Sequence, residues 1–131
     1  MSTARQIINR SLRKVGALYP GEAADIDQET DALADLNAML AKWLDQGIEI
    51  SQGEVVAADT IPTDIGDEDA VVYNLAAALL PEYPNPNGNF ILQMAASTYS
   101  KILTKYTDVG ELQNESALLT IGGRGYNINT D

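Results

Sequence analysis

The stretch DALADLNAMLAKWLDQGI, residues 31–48, decides the fold of this chain. Its apolar residues recur every three or four positions, which is the spacing of one face of an amphipathic α-helix. Asp25 and Gln28 stand at the spacing of a capping box, and Gly47 is suited to end the helix. These signals predict a helix over residues 27–46. Its predicted buried stripe consists of Leu33, Leu36, Leu40, Trp43 and Leu44.

Three more helices are predicted on either side of this stretch. Residues 3–15 carry an apolar stripe, and residues 68–80 are apolar on almost every side until Pro81. Residues 89–107 return to a one-sided apolar pattern. We therefore expect an all-α fold, a small bundle of about four helices that occupies residues 1–110.

Two segments do not follow the helical pattern. Residues 48–66 read as a long connection, with a short hairpin as the alternative. After Val109 no helical stripe continues, and apolar residues alternate with glycines. We interpret residues 111–131 as an extended arm that becomes ordered on another subunit, with a flexible tail as the alternative. The residues expected to dock this arm are Leu118, Leu119, Ile121, Arg124, Tyr126 and Ile128.

The composition excludes several classes of function. The chain has 131 residues, 8 Lys and Arg against 19 Asp and Glu, and a net charge of -11. The absence of Cys excludes disulfides and thiol catalysis, and the absence of His removes the usual general base and most transition-metal sites. Such an acidic surface would repel nucleic acid. We predict no catalytic residue, metal site or cofactor. With no signal peptide and no long apolar run, synthesis in the cytoplasm is expected.

Half of the basic residues lie on the first predicted helix: Arg5, Arg10, Arg13 and Lys14. One interpretation is a solvated face whose cations suit the C-terminal end of a helix. The other is a docking face for an acidic partner, such as a neighbouring copy, or a face turned towards DNA. The sequence does not choose between them.

The acidic residues suggest two alternative functions. Asp31 and Asp35, one turn apart, could form a carboxylate pair, although a solvated helix face is the simpler interpretation. A carboxylate-based peptidoglycan hydrolase would draw its acids from residues such as Glu22, Asp31, Glu49 and Asp59. The other alternative is a small acidic regulator that binds a basic partner.

The chain resembles a known family over residues 5–108. Residues 31–48 are similar to the second-helix signature of the packaged-DNA stabilization proteins of short-tailed phages, also called tail accessory factors or head-to-tail adaptors. The segment LRKVGAL, residues 12–18, resembles the first helix of that family and its glycine. The segment VVYNLAAALLPEY, residues 71–83, resembles the third helix with its closing Pro-x-Tyr. The order and spacing of the three segments carry the resemblance.

The resemblance implies a structural protein of the virion neck, without enzymatic activity. It implies a ring of about twelve copies beneath the portal protein, which extends the DNA channel, helps retain packaged DNA and docks the tail nozzle protein. Double-stranded DNA would pass through without specific binding, and no membrane is involved. The family's portal-reaching C-terminal segment corresponds to residues 111–131. No motif for cell-wall hydrolysis carries over to this chain.

Overall fold

The computed structural model is an all-α bundle, as the sequence predicts. It describes residues 1–51 and 53–122, with side chains described up to Thr107. Within these residues the helices are α1 (Ala4–Lys14), α2 (Ile26–Asp45), α3 (Ile65–Leu79) and α4 (Gly88–Gly122). Helix α1 packs against α2 and α3, α2 packs against α3, and α3 packs most extensively against α4.

The two N-terminal helices begin with the same device. Thr3 accepts a hydrogen bond from the backbone N–H of Gln6, whose side chain accepts one from the Thr3 N–H in return. Asp25 and Gln28 form the second capping box, as predicted. Each box satisfies backbone donors that a helix start leaves without partners.

Glycines with positive φ end both helices. Gly16, with a φ of 81°, follows α1, and Gly47, with a φ of 94°, follows α2. At Gly16 the space is also restricted, because a Cβ there would lie 2.9 Å from the Nδ2 atom of Asn85. That Nδ2 donates a 2.7 Å hydrogen bond to the carbonyl of Val15. The turn after α1 is therefore locked to the turn between α3 and α4.

One continuous core fills the space between the helices. The stripes of α1 and α2 supply Ile7, Ile8, Leu12, Leu36 and Leu40, all buried. Helix α3 is buried on several faces, as its nearly unbroken apolar sequence predicts. A buried Ser11 hydroxyl donates to the carbonyl of Val72 at 3.0 Å, which satisfies the polar group inside the α1–α3 contact.

The connection between α2 and α3 contains no strand within its described residues, so the hairpin alternative is wrong. A lone antiparallel bridge joins Thr3 and Thr60 there. Instead, Asn37 of α2 exchanges two hydrogen bonds with the backbone of Val55, at 2.8 and 3.0 Å. These hydrogen bonds and several buried apolar residues hold the segment against the bundle. The buried residues are Ile48, Ile50, Val55 and Ile61.

The bounds of α3 and α4 differ from the prediction. Helix α3 begins at Ile65 rather than Glu68, because Asp64 occupies the cap position and Asp67 lies in the first turn. Helix α4 continues to Gly122 instead of ending at Thr107. The added segment contains many residues of high helix propensity, so it forms a helix without an apolar stripe. Residues 111–122 are therefore helical, not extended, and residues 123–131 lie outside the described part of the chain.

Candidate interaction surfaces

Two arginines of α1 form ion pairs with neighbouring helices. The Nε atom of Arg5 lies 2.8 Å from Oε2 of Glu29, and this hydrogen bond raises the pKa of Arg5 above its ordinary value. Arg10 contacts Glu68 at 3.1 Å and Asp69 at 3.3 Å. These pairs join α1 to α2 and to the start of α3.

The other two basic residues of α1 also contact their own chain. Arg13 donates a 2.8 Å hydrogen bond to the carbonyl of Glu22. The Nζ atom of Lys14 lies 4.8 Å from the centre of the Tyr73 ring, within cation–π range. Thus the predicted subunit- or DNA-facing cations have structural roles within the monomer. Whether they also face a partner stays a prediction.

Lys105 anchors α4 to the beginning of α3. Its Nζ atom lies 2.6 Å from Oδ2 of Asp67 and 3.1 Å from Oδ2 of Asp64. The hydrogen bond to Asp67 makes the largest contribution to raising the pKa of Lys105, and the hydrogen bond to Asp64 raises it further. The Asp64 carboxylate contacts Lys105, and it makes no side-chain cap hydrogen bond at the start of α3.

An open groove of about 510 Å³ lies between α2, α3 and α4. Trp43 and Tyr99 form its aromatic wall, with ring centres 5.8 Å apart and planes tilted by 51°. The Tyr99 hydroxyl donates to the side-chain carbonyl of Gln46. Ala38 and Ala78 are small and exposed, so the groove stays accessible from solvent. We call this feature the Trp43 groove.

An acidic side chain lies at the Trp43 groove. Burial raises the pKa of the Asp35 carboxyl, and the negative charge of Asp31 one turn earlier raises it further. Neither Asp31 nor Asp35 takes part in a described ion pair, and Lys42 lines the same groove as Asp35. The groove is therefore an apolar cleft with one acidic and one basic side chain in its lining.

A second groove flanks the other side of the same α2 face. It has a volume of about 420 Å³ and lies between α2 and the residues Ser51, Gly53 and Glu54. Ala38 lines both grooves, with Ala34 and Ala41 beside it on the second. Helix α2 thus presents a ridge of small side chains between two depressions. The spacing of those alanines was visible in the sequence, but the grooves were not.

A structured turn after α1 exposes a tyrosine. Tyr19 is 80% exposed, yet its backbone N–H donates a 2.9 Å hydrogen bond to the Glu22 carboxylate. Glu22 also accepts from Arg13 through its carbonyl, so the turn is tied to α1. Among the side chains described up to Thr107, the other large apolar ones that are exposed are Met1, Ile26, Val56, Ile65, Phe90 and Leu92.

The acids considered for hydrolysis lie on separate elements. Glu22 and Asp59 accept backbone hydrogen bonds within their own turns, from Tyr19 at 2.9 Å and from Val56 at 2.8 Å. Asp31 lies on α2 and Glu49 lies in the connection. Over residues 1–51 and 53–107, no group of three or more acids is placed to hold a metal ion.

The predicted arm residues fall beyond the described side chains. Leu118, Leu119 and Ile121 lie on the last turns of α4, where the backbone is helical. Arg124, Tyr126 and Ile128 lie outside the described residues. Their docking role stays a prediction.

Among the described helices, none is both long enough and apolar enough for a membrane span.

A comparison with protein families identifies the chain. The model of the family described as P22 tail accessory factor matches residues 1–130. That range includes all four helices and the three segments that carried the resemblance. The protein belongs to the P22 tail accessory factor family of phage proteins.

Proposed function

We propose that this protein is a structural head-to-tail connector of the phage virion. About twelve copies form a ring beneath the portal protein, extend the DNA channel, help retain the packaged genome and dock the tail nozzle. The observation that carries the proposal is the family match over residues 1–130. In this role the chain performs no catalysis and needs no cofactor.

The distribution of charge supports a channel component. The net charge is -11, and the four cations of α1 contact carboxylates, a carbonyl or an aromatic ring of their own chain. The acid excess therefore dominates the surface. A bore lined by such a surface repels the phosphate backbone, so DNA can pass without being held by attraction.

The exposed apolar side chains support an oligomer. Tyr19, Ile26 and Ile65 are each at least 78% exposed. A ring buries surface against two neighbours in every copy, and these side chains can lie in such contacts.

We assign portal binding to the C-terminal arm, residues 111–131. Its first part continues α4 as a helix, so this part would dock as a helix and not as an extended strand. A docking helix uses one face to contact its partner.

Binding to the portal protein tests this function. We expect the full chain, mixed with assembled portal, to form a stable complex of discrete size in light scattering and electron microscopy. Removal of residues 118–131 should weaken that complex while far-UV circular dichroism shows an intact bundle, since the described core ends at Ile102. A failure of the full chain to bind portal would contradict the connector function. Unchanged binding by the truncated chain would contradict only the role of the arm.

A further inference from the structure

Two adjoining depressions on the outer side of α1 are lined by side chains that carry hydrogen-bond donors. One has a volume of about 220 Å³ and is lined by two arginines and a lysine. The other, of about 320 Å³, shares the two arginines and adds a hydroxyl and two amides. No acid of the described chain lines either depression. We call their lining the α1 donor strip: Ser2, Gln6, Asn9, Arg10, Arg13 and Lys14.

The two amide side chains of the strip have their oxygens engaged in the fold. The Oε1 atom of Gln6 accepts from the backbone N–H of Thr3 at 2.9 Å, and Oδ1 of Asn9 accepts from that of Ala24 at 3.1 Å. The amino group of each amide has no acceptor among the described residues. An amide whose oxygen is engaged in this way presents N–H donors. Gln6 and Asn9 therefore add donors, not acceptors, to the strip.

Arg13 has an unused donor of its own. Its Nη2 atom donates to the carbonyl of Glu22 at 2.8 Å, but its Nε atom is buried without a partner in the described part of the chain. A guanidinium has five N–H donors, and a buried donor without an acceptor costs free energy. An anion bound at this side chain would therefore supply acceptors that the monomer lacks.

Three acids close to the strip limit what it can bind. Glu68 and Asp69 contact Arg10 at 3.1 and 3.3 Å, and the Glu22 carboxylate accepts from the Tyr19 N–H at 2.9 Å. Their charges balance those of the three cations, so affinity has to come from the donors in the lining and not from net charge. A single small anion meets only those donors. Duplex DNA would also bring neighbouring phosphates close to the acids.

The number of donors favours phosphate over a carboxylate. A phosphate group carries about 1.5 to 2 negative charges near pH 7 and has at least three strong acceptor oxygens, whereas a carboxylate has two. Three cations and two amides offer more N–H groups than two oxygens can accept. Both arginines and the lysine line the smaller depression, whose volume of about 220 Å³ leaves room for a phosphate and several waters.

We propose that the α1 donor strip binds a phosphate group. Arg10, Arg13 and Lys14 hold its oxygens in the smaller depression, and the amino groups of Gln6 and Asn9 donate from the adjoining one. Inorganic phosphate and a phosphate of the DNA backbone share this chemistry, and the experiment separates them. The site goes beyond the connector function and does not depend on the ring.

A titration with sodium phosphate at constant ionic strength tests the site on the full chain alone. The Nε–H signals of the arginines are followed by ¹H–¹⁵N NMR. We expect saturable shifts at Arg10 and Arg13. Arg5 lies on the same helix but outside the strip, paired with Glu29, so its signal should move little. Shifts that do not saturate, or equal shifts at Arg5, would overturn the site.

Two variants replace a donor of the strip by an acid without removing the acceptor oxygen that the fold uses. Gln6→Glu keeps the acceptor of its capping box, and Asn9→Asp keeps the acceptor for its backbone partner. Each should weaken phosphate binding at least about tenfold. The matched control is Gln28→Glu, the same exchange in the capping box of α2, which should bind as the wild type does. An equal loss in the control would reduce the effect to general charge and refute the site.

Two further ligands identify the source of the anion. Acetate that half-saturates the shifts at the same concentration as phosphate would overturn the choice of phosphate. Duplex DNA that shifts the signals of Arg10 and Arg13 would support the site with the DNA backbone as its source. Binding of inorganic phosphate but not of duplex DNA would support it with free phosphate as the source. Since no portal is present, a failure to bind phosphate leaves the connector function in place.

Discussion

Helices α1 and α2 are built alike on their buried sides and differently on their outer sides. Both start with a capping box, both end before a glycine of positive φ, and both bury one apolar stripe. Their charges are opposite: α1 has four basic and no acidic residues, and α2 has five acidic residues and one lysine. The cations of α1 are engaged within the monomer, whereas Asp27, Asp31 and Asp35 of α2 lie outside the described ion pairs.

Each helix therefore has a buried face that stabilises the fold and an outer face whose charge differs between the two helices. The inner stripes form the core that stabilises the fold. The outer charges decide what approaches each side of the bundle. We expect three comparisons between substitutions to test this difference: one between the ends of the two helices, one between two arginines of α1 and one on the acids of α2.

The largest effect is expected at the helix ends. Gly16→Ala should lower the free energy of unfolding by about 2–3 kcal/mol, since it combines a positive φ with displacement of the Asn85 amide. Gly47→Ala meets no atom within 4 Å and should cost only about 1 kcal/mol. Urea unfolding followed by the fluorescence of the single Trp43 measures both. Equal losses would show that the Asn85 contact contributes nothing.

An intermediate effect is expected for the arginines of α1. Arg10→Met should lower the free energy of unfolding by about 1 kcal/mol, because it leaves the Glu68 carboxylate, 14% exposed, without its cation. Arg5→Met acts at a solvent-exposed pair and should have a smaller effect. The same urea titrations compare the two variants. A larger loss of unfolding free energy for Arg5→Met than for Arg10→Met would show that burial of the carboxylate does not decide how much these ion pairs stabilise the fold.

The smallest effect is expected for an acid of α2. Burial and then Asp31 raise the pKa of Asp35 in the folded state, so its ionisation opposes folding. The folded state therefore favours protonated Asp35. The stability that results is fully present below the ordinary pKa of an aspartate, and it is lost as the pH rises through the higher pKa that Asp35 has in the folded state. Asp35→Asn should therefore raise the free energy of unfolding at pH 7, by about a few tenths of a kcal/mol for this largely solvated group.

The pH dependence checks that sign. The gain from Asp35→Asn should disappear as the pH falls below about 4, where the carboxyl is protonated in both states. An Asp31→Asn background should reduce the gain, since one cause of the raised pKa is removed. A loss of stability at pH 7 would mean that the carboxylate makes a favourable contact.

The sequence predicted the helices where local signals were strong. Capping residues, apolar stripes and the prolines after α3 act within a few positions, so the number of helices and most of their bounds are confirmed. The family resemblance is confirmed as well. The end of α4 was predicted wrongly, because the absence of an apolar stripe after Thr107 does not prevent a helix from continuing.

The interaction surfaces were harder to predict because they depend on distant residues. Trp43 was recognised as part of a stripe, but the groove beside it needs Tyr99 and Asn74 from two other helices. Tyr19 sits next to a predicted turn, and nothing in its neighbours shows that it is exposed. The partners of Arg10 lie 58 and 59 positions away along the chain. Such contacts follow only from the assembled bundle.

The N-terminus of the chain also bears on how the protein folds. The backbone N–H groups of Ala4 and Arg5 donate to the carbonyls of Asp59 and Ala57, and the N–H of Ile61 donates to the carbonyl of Ser2. These bonds span more than fifty positions, so the first turn of the first helix cannot complete its hydrogen bonding until the second helix and the connection have been synthesised. Such a separation raises the contact order and slows folding relative to a bundle with only local contacts. The start of α1 is thus fixed only after the connection has packed against it.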